Sequence, residues 1–405
     1  MKNTALYFAM VILVSGFALS QAQERVLYNF QNIPDGADAA GGLVFDAGGN
    51  LYGTTWGGGV YGHGSVYKLT RNDDGSWTED ILYSFTGGAD GGSSQSTLVF
   101  DAEGNLFGTT VFGGLSGCYF GCGTVFELAP NPDGTWTESV ISFLESGGNN
   151  PGYGVVFDAA GNLYGSGGGG IKGCGVIFQL VPNQTGYWTE NVVYTFTDGR
   201  DGCAPTALTI DAAGDIYGTT LSGGSKGWGT VFQLSPQPGG GWTGNLLHTF
   251  GGNNDGIVPN GVLVFDGSGN LYGTTTAGGK YTDGVAYRLE RAIGKEWRET
   301  VLHEFGGTGG GRSPEGNLVL DNAGSLCGTT SLGGSGGTDG TVFRLAPGSF
   351  GGVLFKTFSF DGADGEQPAG GVIADSAGNV YGTTTGGGNS LNCGGGCGTV
   401  FEIIP

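Results

Sequence analysis

The sequence predicts an all-β fold, a seven-bladed β-propeller with four-stranded blades whose last blade is closed by the N-terminal strand. Three observations predict it. One unit recurs seven times, every unit holds four strand patterns, and a strand spare at one end is missing at the other.

The repeat is anchored by Asp-x-x-Gly-Asn-Leu-Tyr-Gly-Thr-Thr, which begins at Asp46, Asp101, Asp158, Asp211, Asp266, Asp321 and Asp375. The successive spacings are 55, 57, 53, 55, 55 and 54 residues. Units of that length fill the chain from Glu24 to Pro405 without a linker, so residues 23–405 are expected to form one domain.

In the second unit the strand patterns are 98–101, 105–110, 123–128 and 136–143, with turn residues between them. The segment between the first two reads as a tight hairpin, with an Asp that accepts backbone N–H groups and a Gly suited to positive φ. Segment 131–135, Asn-Pro-Asp-Gly-Thr, makes the turn before the fourth strand in the same way. No stretch after residue 22 has helical periodicity.

An open β-solenoid is the competing architecture, and the chain ends decide between them. Residues 25–30 match a fourth strand (compare 81–85 and 192–196), whereas 398–403 match a third. Ring closure pairs both free edges, while a solenoid leaves them open. Strand 25–30 is therefore expected to pair with 398–403.

Composition agrees with a repeat fold. Gly and Pro contribute 90 and 13 of 405 residues, a content that without periodicity would suggest disorder. The 24 Phe, 16 Tyr and 7 Trp supply the apolar surface a core needs. Residues 1–22 read as a secretory signal, with Lys2, an apolar run over 5–19 and small residues at Ser20 and Ala22. That run is short for a membrane-spanning helix, and no transmembrane segment is expected in the mature chain. The formal charge is −21, and −22 without Lys2. Such an acidic chain is repelled by nucleic acid and by anionic membranes, and is expected to be a soluble monomer outside the cell or on its surface.

Export permits disulfides. Cys118 and Cys122 share one loop between strands two and three, and Cys393 and Cys397 share the same loop of the last unit. Cys174 precedes a third strand and Cys203 an inner strand of the next unit, on one face. The expected pairs are Cys118–Cys122, Cys174–Cys203 and Cys393–Cys397. Cys327, in a strand, is left as a buried thiol. The Cys-x₃-Cys spacing could also suit zinc, but His63, His248 and His303 do not cluster with it.

The unit Gly-x-Leu-Val-Phe-Asp-Ala-x-Gly-Asn-Leu-Tyr-Gly-Thr-Thr, followed by Gly-Thr-Val-Phe-x-Leu, resembles the GloVer tandem repeat of exported bacterial proteins. It is more loosely similar to NHL-type propeller repeats. The resemblance covers nearly the whole mature chain and implies export rather than any particular chemistry. Anchored members of that family carry a C-terminal sorting domain, and none is recognisable here.

Candidate chemistry sits at the loops entering the inner strands. Eleven residues before the hairpin Asp stand Asp35, Asp90, Asp255 and Asp364, with Asp201 one residue off register and Gly147 and Gly310 in the other two units. By propeller geometry these loops ring the channel mouth, where five carboxylates form a candidate collar for Ca²⁺. The alternative is that each Asp serves its own Asp-Gly turn. No other cofactor is suggested. Trp77, Trp136, Trp188, Trp242 and Trp297 start fourth strands and are expected to cover blade edges. Trp56, Tyr61, Tyr119, Trp228 and Tyr281 fall instead in loops between strands two and three, on the collar face, where exposed rings beside Asp and Asn suit sugar stacking. The alternative for these is packing against the next blade.

No His-Glu-x-x-His or phosphate-binding loop occurs. The leading expectation is a secreted or cell-surface binding or scaffold module for a glycan or an extracellular protein. A glycosidase or lyase using channel-mouth carboxylates is the alternative from another class, and a purely structural surface protein the third.

Overall fold

The computed structural model describes residues 23–114, 121–144, 148–170, 172–183, 186–197, 199–251, 255–291, 296–307, 310–347 and 353–405, the side chains of 353–356 excepted. Its strands form seven separate four-stranded antiparallel sheets, the blades of a propeller, with no helix among the described residues. The first blade runs from the channel outward as Val44–Phe45, Leu51–Thr54, Ser65–Arg71 and Trp77–Ser84. Blades two to six repeat that order.

The seventh blade takes three strands from the C-terminal unit, Val372–Ala374, Val380–Thr383 and Thr399–Ile404, and its fourth from the other end of the chain, Gln23–Asn29. Gln23 stands opposite Ile404 and Asn29 opposite Thr399, with one bulge between Val26 and Tyr28. This is the expected closure, shifted by one or two residues at the strand ends.

The hairpin Asp holds its turn as its chemistry demands. Asp46 Oδ1 accepts the N–H groups of Gly48 and Asn50, and Oδ2 accepts Asn50 Nδ2 and the Tyr52 hydroxyl. Equivalent bonds recur at Asp158, Asp266 and Asp375. The Thr-Thr and Gly-Thr halves of the repeat (Gly-Ser in the first blade) meet inside blades one, two, four, six and seven, while Val176 and Val285 take the third-strand position in blades three and five. Thr384 Oγ1 lies 3.0 Å from Thr399 Oγ1, and Thr399 Oγ1 donates at 3.0 Å to the carbonyl of Asp364 in the loop above. Ser65 does the same for Asp35 at 2.8 Å. These buried hydroxyls are satisfied and tie the collar loop to the second and third strands.

The cores lie between blades rather than within them, as seven apolar clusters, one at each interface. In every blade but the second, where Leu144 stands in its place, the Phe that follows the outer strand is fully buried and meets the third-strand ring of the next blade edge to face. Phe85–Phe126, Phe250–Tyr287 and Phe305–Phe343 have centroids 5.1, 5.2 and 4.9 Å apart. Phe30 brings the same contact to Tyr67 at 5.0 Å, so the closing strand binds the first blade as well as the seventh. The repeated Trp packs on the second-strand ring of the preceding blade, Trp188 on Phe107 and Trp242 on Tyr164 at 5.8 Å each. It seals an interface rather than a free edge.

Cys174 and Cys203 are bonded, joining the third blade to the innermost strand of the fourth, and Cys393 is bonded to Cys397. Cys327 is free and fully buried, and burial chiefly pushes its thiol up to about 12. Cys118, Tyr119, Gly147 and residues 1–22 lie outside the described residues.

Candidate functional site: the central channel and its collar

Loops entering the innermost strands and loops joining strands two and three lie together on one face, bridged at Ala37–Gly57, Gly92–Phe112 and Glu366–Gly386. This collar face carries all five Asp residues singled out from the sequence, and each closes its own turn. Asp35 accepts the Gln31 N–H at 2.9 Å and the Tyr28 hydroxyl at 2.7 Å. Asp90 accepts the Thr86 N–H at 2.8 Å and the Tyr83 hydroxyl at 3.0 Å. Asp201 accepts from Thr197 and Tyr194, Asp255 from the Gly251 N–H with His248 at 3.4 Å, and Asp364 from the Asp361 N–H at 2.9 Å. Among the described residues no group of three or more His, Cys, Asp or Glu is placed to hold a metal ion.

A second carboxylate approaches several of these turns from the outer strand of the next blade. Glu79 faces Asp35, Glu138 faces Asp90, Glu299 faces Asp255, and Glu24 faces Asp364 and Asp361. Each has one carboxylate oxygen buried without a hydrogen-bond partner. Burial first, and the neighbouring Asp second, push all four up to about 7. Between blades these groups hold protons well above the usual carboxylate range.

The aromatic candidates divide. Trp56 is half-buried against Phe112 of the second blade at 5.5 Å, edge to face. Tyr61, Trp228 and Tyr281 are 59%, 47% and 45% exposed, on loops of blades one, four and five. Lys280 Nζ lies 5.0 Å from the Tyr281 ring.

The channel itself holds groups that the repeat pattern hid. Two chambers follow one another along it. The larger, about 280 Å³, is walled by aliphatic side chains such as Val99, Val156, Val319 and Ile373. The smaller, about 160 Å³ and nearer the collar, is lined by Gln95, Tyr153, Asn260 and Glu315. Thr97 and Asn317 line both. Asn317 Nδ2 donates to Thr97 Oγ1 at 2.8 Å, joining blade six to blade two across the ring, and Asn317 Oδ1 accepts the Val262 N–H at 3.3 Å. That bond is the floor between the chambers.

Glycine narrows the wall at this level. A Cβ on Gly261 would stand 2.2 Å from the Gly316 carbonyl oxygen, and one on Gly316 2.2 Å from the Gly371 nitrogen. Only bare backbones can approach so closely. Glu315 is the one carboxylate among the described residues lining either chamber. Burial raises it above the ordinary range against a Ser331 hydrogen bond that lowers it, and it contributes after burial to raising Tyr153. One carboxylate is half of the acid–base pair that glycoside hydrolysis ordinarily uses.

The missed residues have a sequence signal. Six positions before the hairpin Asp the units read Ala40, Gln95, Gly152, Pro205, Asn260, Glu315 and Ala369. Unlike the hairpin columns that follow it, this column differs from blade to blade.

By sequence, the Gloeobacter/Verrucomicrobia repeat matches residues 13–220 and again 204–405. The chain belongs to that repeat family. No curated protein matches it. Among solved structures, PorZ, an essential surface component of the type-IX secretion system of Porphyromonas gingivalis, is similar in fold, with TM-score 0.52 and 15% identity over 94% of this chain. The match takes in 48% of PorZ, so this chain spans about half of that protein's length. An ulvan lyase of polysaccharide lyase family PL25, solved with a bound saccharide, gives TM-score 0.55 and 11% identity over 92% of this chain and 91% of its own. Identities this low establish likeness of fold alone. In this member of the Gloeobacter/Verrucomicrobia repeat family the repeated Asp, Thr, Phe and Trp residues join strands and blades.

Proposed function

We propose that the protein is an extracellular or cell-surface binding module that holds a glycan on its collar face. The observation that carries this reading is the exposure of Tyr61, Trp228 and Tyr281 on that face, in a fold that buries most of its other rings between blades. A ring in water has a large apolar surface to cover, and the apolar face of a pyranose fits it. The loops beneath are braced by their own Asp turns, so the rings start from an ordered platform. The fold is one on which a polysaccharide lyase is also built. Export is supported by the disulfides Cys174–Cys203 and Cys393–Cys397, and no helix among the described residues is long and apolar enough to cross a membrane. The test is a glycan array with the full chain and the Trp228→Ala/Tyr281→Ala variant. Binding that the double substitution weakens at least tenfold, about 1.4 kcal/mol, supports the reading, and binding unchanged by it overturns the assignment to this face.

A protein partner is favoured by a different observation. At the seam where blade seven meets blade one, Ile33, Val60, Tyr61 and Leu391 are all exposed on adjoining loops, the last to 97%. Asn392 Nδ2 donates to the Gln31 carbonyl and the Gly59 N–H to the Asn32 carbonyl, so the three loops are contiguous. Contiguous exposed apolar side chains mark interaction surfaces.

A further inference from the structure

We propose that the smaller chamber of the channel is a site for a single amino-sugar unit, its ammonium on Glu315 and its hydroxyls on Gln95 and Asn260. The inference rests on the collar being the glycan-binding face only in expecting the unit to be the end of such a chain. Four features of the chamber argue for it.

Its chemistry is complementary to a cationic polyol. Glu315 is a carboxylate acceptor, Gln95 and Asn260 each both donate and accept, and Tyr153 adds a ring. No Lys, Arg or His is among the described residues lining it, and Glu315 has no ion pair among them. A chain of charge −21 draws cations toward such a cleft rather than anions.

Its size excludes larger occupants. About 160 Å³ is below the range of drug-sized pockets and suits one sugar ring. The Asn317–Thr97 bond crosses the channel where the two chambers meet and stands in the way of a threading chain, so the occupant is taken to be a chain end. Finally, the wall is rigid. The Gly316 and Gly371 backbones are in contact, and the Thr329 hydroxyl donates to the Glu315 carbonyl at 3.0 Å, which fixes the strand that carries the carboxylate. A prepared site loses less on binding.

The experiment is calorimetric titration of the full chain at neutral pH with D-glucosamine and with D-glucose, which differ at one substituent. Glucosamine is expected to bind about tenfold more tightly than glucose, the worth of one charge-assisted hydrogen bond. Glu315→Gln should bring the two sugars to within about twofold, and Ala40→Leu, which fills the chamber from another blade, should abolish both. Trp228→Ala/Tyr281→Ala should leave free glucosamine binding unchanged, which separates this site from the collar face. Glucosamine bound no better than glucose, no binding of either, or a preference that survives Glu315→Gln overturns the proposal. Polymer binding that the double substitution leaves unchanged, with glucosamine binding retained, would remove the collar reading and leave this one standing.

Discussion

At the scale of single residues the outer-strand glutamates are the most consequential. Glu24, Glu79, Glu138 and Glu299 have pKa values near 7 in the fold against 4.5 unfolded. A carboxyl raised on folding favours the folded state below its unfolded pKa and loses that advantage as pH rises through the folded one. Stability should therefore fall between about pH 4.5 and 7.5. Asp46, Asp158 and Asp266 work in the opposite sense. Their burial is outweighed by hydrogen bonds from Asn50, Asn162 and Asn270, which hold them below 3.8, so their contribution is lost in stronger acid. Thermal unfolding followed from pH 3 to 8 should show a maximum near pH 4–5, and a maximum above pH 7 would contradict the assignment. Replacing Glu138 with Gln removes a charge that the fold holds poorly. With screening allowed for at this half-exposed site, it should stabilise the protein at pH 8 by about 1 kcal/mol and do little at pH 4. Phe250 is the other sensitive residue, because its ring fills the interface of blades four and five against Tyr287. Phe250→Ala should cost about 3–5 kcal/mol in denaturant unfolding.

At the scale of elements, the Cys174–Cys203 bond crosses a blade interface over 29 residues. Cys174→Ser/Cys203→Ser should lower stability by about 3–4 kcal/mol, while Cys327 should react with a thiol reagent only after unfolding. Strand order, hairpin turns and the role of the seven Asp anchors were legible because each depends on residues close in sequence and recurring in every unit. The collar Asp residues were legible only as two alternatives, since a turn and a ligand set use the same Asp-Gly pair. The structure adds a contact from the Tyr or His of the preceding outer strand, as at Tyr28 with Asp35 and His248 with Asp255. The Trp residues were legible only as covering blade edges, because a consensus position shows that a ring recurs but not which blade it meets. Glu315 and Asn317 escaped notice for the converse reason. Their meaning comes from Gln95, Thr97 and Asn260 of other blades, far apart in sequence and gathered only by the ring.

At the scale of the whole molecule the ring is shut by seven residues. Removing 23–29 exposes the edge of strand Thr399–Ile404 and takes Leu27 from the first interface. Such a variant should lose its cooperative unfolding transition or associate through the open edge, both visible by light scattering alongside circular dichroism. The register of that closure also sets how the molecule bears load. Gln23 stands directly opposite Ile404, so tension applied across these two residues falls on the first rung of the antiparallel pair. The rungs then give way in succession, as a zipper opens, instead of resisting together as they would if the strands were sheared lengthwise. Hooked to a surface by one end and to a polymer through its collar, the ring would be spared this pull. Stretched between its two ends, it would come undone at the clasp.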